Sequence, residues 1–277
     1  MKLRAISVTT LILFFALLSA CSSGPTPPEK GSPAWLWAAA KETFAQGDWV
    51  KSTEHLGALT NGSSEFADKA RPWELLLLAG MADGYIQLAD AYELGGRANK
   101  SNPSQFRKAS SEYRNQANRI ALAYTEKFGK FQKAAKGDTV VLEFAFPKGS
   151  VGIPMGLGKI QQGIALPPPE ATELQTRMVS RAVVMEICES LDAVNDPAKG
   201  AEALKGGSFS QPLAKFTLHM ATDLYSFSQI YSSTKLDIPD KMKFLVTASG
   251  TAAAAAPEGK EKKELLEKIE AAKKKLK

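Results

Sequence analysis

Pro103 to Lys133 reads PSQFRKASSEYRNQANRIALAYTEKFGKFQK, and this stretch decides the fold. Phe106, Tyr113, Ala117, Ile120, Tyr124, Phe128 and Phe131 recur at intervals of three or four residues, or multiples of them. That period places them on one stripe of a helix with charged residues on the other side. Pro103 suits the first helical position, where its missing N–H costs nothing. Some thirty residues at about 1.5 Å each give a rod of about 45 Å. An aromatic stripe on such a rod is read as core.

The pattern continues outward in both directions. Ser32-Pro33 opens a helix that runs to about Gln46, and Asp48 caps another over Trp49 to Leu59. Pro72 starts or kinks a helix that reaches Glu93 and ends at Leu94-Gly95-Gly96. Met81, Tyr85, Leu88 and Tyr92 form its apolar stripe, and Asp83, Gln87 and Asp90 form a polar line that is either a hydrated edge or the lining of a binding groove. Beyond Pro168-Pro169, Val179, Val183, Ile187, Leu191 and Val194 mark a helix from Glu170 to Val194. Ser210-Gln211-Pro212 opens the next, with Leu213, Phe216, Met220, Leu224, Phe227 and Tyr231 inward. Asp237-Ile238-Pro239 starts a short helix, and Pro257 to Lys277 is a basic terminal one with a weak stripe of Leu265, Ile269, Ala272 and Leu276. The total is about eight helices joined as antiparallel hairpins, an all-α body over residues 33–277.

The middle breaks the pattern. Thr139 to Phe146, TVVLEFAF, is rich in β-branched and aromatic residues and is expected to be a strand. Residues 147–169 then read as an extended, glycine-rich and apolar loop. Gly152, Met155, Gly156 and Gly158 lie there, and with Asp83 and Asp90 they are the candidate contacts for a ligand or partner. The loop either folds over the helical core or serves as an apolar lid or contact surface. A phosphate loop is excluded because Gly152 to Lys159 is one residue too long and Ile160 stands where Ser or Thr would hold magnesium.

The hydrophobic fraction of 44% is that of a folded protein, which excludes disorder throughout. Two cysteines exclude a disulfide scaffold. Groups for catalysis are scarce. His55 and His219 are the two histidines, and His219 with Asp223 has metal-ligand spacing on one helix face, but no further ligand is visible. Cys188 flanks an apolar line and reads as a buried structural thiol. No catalytic set, metal set or cofactor motif is legible, and the expected role is binding rather than catalysis.

The amino terminus carries an address. Lys2 and Arg4 precede an apolar run from Ala5 to Leu18, too short to span a bilayer but suited to the core of a signal peptide. Leu18-Ser19-Ala20-Cys21 follows, and it resembles the lipobox of bacterial lipoproteins. The resemblance implies that residues 1–20 are removed, that Cys21 is diacylated and its new amino terminus acylated, and that the chain is anchored in a membrane. Ser22 after the cysteine implies the outer membrane, with the body facing the periplasm. Residues 22–32, SSGPTPPEKGS, are a proline-rich tether reaching at most ~30 Å. Loss of Lys2 and Arg4 lowers the formal charge of +6 by two, so nucleic acid is not an expected partner.

Residues 32–62 also resemble one tetratricopeptide repeat. Ala40 takes the small position of the first helix, Gly47 the turn, Trp49 the following aromatic, Ser52 the next small contact, and Leu56 and Leu59 the second helix's apolar face. Thr43 stands where an aromatic is usual, and no proline closes the repeat. The resemblance implies a helical stack that presents a groove to an unidentified protein partner. A lipoprotein component that binds a small molecule or lipid for a transporter is the alternative.

Overall fold

A computed structural model describes residues 27–276. Residues 1–20, the expected signal peptide, and Cys21 lie outside the described residues. Ten α-helices and one two-stranded sheet make up the fold among those described. The helices are α1 (Pro33–Gln46), α2 (Trp49–Thr60), α3 (Ala67–Ala98), α4 (Pro103–Ala134), α5 (Met155–Gln161), α6 (Pro168–Ser190), α7 (Pro197–Ala203), α8 (Leu213–Ser228), α9 (Pro239–Ala254) and α10 (Lys260–Lys275). Strands β1 (Thr139–Leu142) and β2 (Phe209–Pro212) pair antiparallel, Thr139 opposite Pro212 and Leu142 opposite Phe209. No described helix is long and apolar enough to cross a membrane.

The first hairpin forms as its caps dictate. Ser32 Oγ accepts from Trp35 N at 3.2 Å with Pro33 at the first helical position, and Asp48 Oδ1 accepts from Lys51 N. Ala40, Ser52, Leu56 and Leu59 are buried between and beneath the two helices. Thr43, where a repeat of this kind has an aromatic, instead accepts a hydrogen bond from Ser52 Oγ at 3.0 Å. A polar clasp thus takes the place of an aromatic contact.

α3 is the central rod. It packs on α2, α4, α5 and α6, and the four-residue link Asn99–Asn102 returns α4 along it. Two glycines decide how closely α6 approaches. A Cβ on Gly80 would lie 2.5 Å from Val183 Cα, and one on Gly84 would lie 2.8 Å from Val179 Cα. Backbone meets backbone there, and no side chain fits between them. Beyond this crossing, Tyr124, Phe216, Leu224, Phe227 and Tyr231 fill the space between α4, α8 and the 3-10 turn that follows it. At the far end Trp73 and Phe144 stack at 4.7 Å, with Phe44 and Trp37 against Phe144.

Several boundaries differ from the sequence reading. α3 begins at Ala67, so Pro72 sits in its second turn, and it runs through Gly95-Gly96 to Ala98. Gly95 does not stop the helix. A Cβ there would stand 2.2 Å from the Ile160 carbonyl oxygen, so this glycine admits the neighbouring segment. Ser210-Gln211-Pro212 is strand β2 rather than a helix start, because β1 needs a partner to satisfy its backbone. β1 itself stops at Leu142, although Phe144 is fully buried. α6 ends at Ser190, which leaves Val194 exposed rather than in the buried line. The 147–169 segment is not a structureless loop: it contains α5, whose Ile160 is buried with Tyr92, Phe106, Leu174 and Met178.

The basic end docks as its stripe implies, with Leu265, Ile269 and Ala272 buried. Lys262 adds a contact absent from the pattern. Its ammonium donates to the carbonyls of Ala254 and Ala256, at 3.1 and 2.7 Å, and to Glu258, neutralising the carbonyl end of α9.

The α3–α6 crossing sets a direct stability test. Gly80→Ala forces overpacking and is expected to cost about 1–3 kcal/mol. Gly129, inside α4 with open space where its Cβ would be, is the control. Gly129→Ala is expected to gain up to ~1 kcal/mol from helix propensity. Urea unfolding midpoints measure both.

Candidate functional site

The polar line on α3 is half-buried, and each of its side chains has a partner. Gln87 donates to Asp83 Oδ2, and Arg181 of α6 donates from Nη1 to Gln87 Oε1 at 3.0 Å. Arg181 Nε also donates to the Val151 carbonyl at 2.8 Å. One guanidinium therefore links the Asp83 line to the 147–169 segment, the two features singled out separately from the sequence. Asp90, a turn further on, is held by Lys235 at 2.7 Å and approached by Arg114 at 3.7 Å. It is a tie between α3, α4 and the turn before α9 rather than an open ligand contact.

The candidate residues of the 147–169 segment divide. Gly156 lies against Leu166 and Leu174, and Gly152 N donates to Ser150 Oγ at 3.0 Å. Gly158 has open space around its Cβ position. Met155 is 92% exposed and Ile153 70%, with Ile164 also exposed. Three large apolar side chains therefore face solvent on a segment that Ile160 and Arg181 fix to the body.

Further along the same seam lies a polar cluster that sequence reasoning only half located. His219 and Asp223, four apart on α8, face Glu186 of α6. His219 Nε2 donates to Glu186 Oε1 at 2.7 Å, and the ligand atoms of all three lie within 4.8 Å of one another. Tyr124 of α4 donates to the Met220 carbonyl at 2.8 Å and lies 3.3 Å from Asp223 Oδ2. His219 avoids its own helix's apolar stripe, as the spacing implies, but that face meets another helix instead of water. Glu186 carried no signal in the sequence. It sits in an apolar stretch beside Val183, Val184 and Ile187, and only the register of α6 against α8 turns it to the histidine.

The electrostatics are those of crowded acids. Burial opposes a charge on His219, but the Glu186 and Asp223 carboxylates outweigh it and raise its pKa from 6.5 to about 10. Burial, reinforced by Glu186, pushes the Asp223 carboxyl well above its ordinary value. Asp83 and Glu189 are raised by burial and by the charge of Glu186, with Gln87 acting against the shift at Asp83. Cys188, fully buried on the same helix, is raised to about 11 by burial and carries an inert thiol.

The cluster borders a cleft of about 650 Å³ between the end of α6, α8 and α10. Glu189, Gln211, Lys215, His219, Glu264 and Lys268 are among its lining residues. Gln211 is buried, and its amide nitrogen has no acceptor among the described residues. A second cleft of about 610 Å³ between the ends of α3 and α4 carries Arg97, Lys100, Arg107 and Arg114.

The imidazolium sets a pH dependence. A base whose folded pKa is raised stabilises the fold below its unfolded value of 6.5, and that contribution is lost as pH rises through about 10. The melting temperature is therefore expected to fall as pH climbs from neutral past about 10, and to fall less in His219→Gln. Thermal unfolding followed by circular dichroism across that range compares the two.

No known protein-family model matches the chain, and no curated protein sequence or solved structure is significantly similar to it.

Proposed function

We propose that this chain is a membrane-anchored lipoprotein whose helical body is a non-enzymatic protein-interaction module. In this reading acylated Cys21 holds it in the outer membrane, facing the periplasm. Each buried acyl CH₂ contributes about 0.8 kcal/mol, and two or more chains make attachment stable where one chain does not. Residues 22–32 hold the body off the lipid surface, at most ~30 Å away. The observation that carries the partner is the exposure of Ile153, Met155 and Ile164 on one anchored segment. Exposed apolar groups grouped on a fixed support mark a contact surface more than those scattered singly.

The cleft between α6, α8 and α10 supports a second reading, an accessory component that binds a small molecule or lipid for transport. Its volume is that of a ligand pocket, and the buried Gln211 amide lacks an acceptor that a ligand can supply. The two readings share the anchor and differ in which surface is occupied.

Both parts are open to test in cells. Cys21→Ala is expected to abolish acylation and release the protein from the membrane fraction; membrane retention with unchanged mass contradicts the anchor. A photocrosslinking residue at position 155 is expected to give a discrete protein adduct, and one at exposed Lys199 is not. Equal labelling from both positions contradicts a partner at the apolar segment.

A further inference from the structure

The seam between α6 and α8 gathers three acidic side chains, Glu186, Glu189 and Asp223, around His219. The Glu186 side chain is 8% exposed; one oxygen takes the His219 N–H, and the other has no donor among the described residues. Among the described residues, Asp223 accepts from the Tyr124 hydroxyl alone, at 3.3 Å, and that hydroxyl makes its shorter bond to the Met220 carbonyl. Glu189, exposed on the same helix, stands near both Glu186 and His219 and lines the cleft. Arg181, the nearest guanidinium on α6, is committed to Val151 and Gln87. Carboxylates crowded this closely disfavour one another's charge, and a cation that reaches several at once offsets that cost.

The donors present select the kind of cation. One imidazole nitrogen and two carboxylate oxygens, all within 4.8 Å, suit a borderline first-row dication with few ligands. Ca²⁺, which takes six to eight oxygens, is poorly served by three side chains of which one is histidine. The groups come from α6 and α8, whose placement is set by rigid packing, so little rearrangement is needed to bring them to one ion. His219 also lines the cleft, which supplies an entry path.

We propose that Glu186, His219 and Asp223 form a binding site for a divalent transition-metal ion, Zn²⁺ or Mn²⁺, at the floor of this cleft. The ion replaces the proton between Glu186 and His219 and any proton carried by Asp223, and these leave to solvent. Three protein ligands leave a coordination position for water, for Glu189 or for a donor atom of a molecule in the cleft. The site is independent of the membrane anchor and of the apolar contact segment.

The test uses the full chain in detergent, stripped with a chelator and titrated with Zn²⁺, Mn²⁺ and Ca²⁺ by calorimetry and thermal unfolding. A single saturable Zn²⁺ or Mn²⁺ per chain is expected, with a raised melting temperature and no comparable effect of Ca²⁺. His219→Gln and Asp223→Asn are each expected to weaken binding about tenfold or more. No saturable uptake, uptake unchanged in both variants, or preference for Ca²⁺ overturns the proposal. Because these variants disturb a buried network, the unmutated chain supplies a second readout. Co²⁺ is expected to give visible ligand-field absorption that stoichiometric Zn²⁺ removes, and absence of that absorption also overturns the site.

Discussion

α3 and α6 touch backbone to backbone at Gly80 and Gly84, and most of the molecule is arranged around that contact. Two helices that meet so closely cannot slide or rotate without collision, because their main chains rather than flexible side chains are in register. The crossing points Arg181 at Gln87 and places Glu186 one further turn along, where α8 can reach it. It also leaves α3 free to receive α2, α4 and α5 on its other sides, which explains why this helix is apolar over so much of its girth. One cleft lies between the ends of α3 and α4, and the other between α6, α8 and α10.

The polar seam is the counterpart of that tight crossing. Asp83, Gln87, Arg181, Glu186, His219 and Asp223 run between helices whose outer surfaces are ordinary solvated faces. Such a line of polar groups weakens the packing there compared with an apolar seam, and it specifies register instead, since each group has a particular neighbour. The segment before α5 is bound into the same line through the Val151 carbonyl. The apolar Ile153 and Met155 therefore stand on the same support as the buried acids, although they face solvent.

Legibility followed the physical range of each signal. Periodicity located α1, α2, α4 and α8 to within a few residues, because their burial lies on one face and local caps mark their ends. It placed the end of α3 too early. Gly95 looks like a stop signal, and its role comes from Ile160, more than sixty residues away in the chain. β2 was misread because Ser210-Gln211-Pro212 carries helix-start chemistry, and only its pairing with Thr139–Leu142 reveals the strand. Short α5 and α7 fall below the length at which a period can be recognised. At the candidate site, spacing along one helix revealed His219 and Asp223 but not Glu186, which reaches them from another helix. Asp83 was legible as polar but not as partnered, since Arg181 lies nearly a hundred residues on.

A helical body built on one central rod, with a polar seam and two surfaces open to occupants, is the physical basis of the binding role proposed. The claim on which this picture rests is that α6, held against α3, and α8, held by α9 and α4, bring Glu186, His219 and Asp223 to one point. Diffraction from a zinc-soaked crystal, with anomalous data at the zinc edge, tests it most directly. The account expects one strong anomalous peak among those three side chains, with Gly80 packed on the Val183 backbone. A structure in which α3 and α6 are held apart, or in which zinc lies elsewhere while these three side chains are separated, would contradict it.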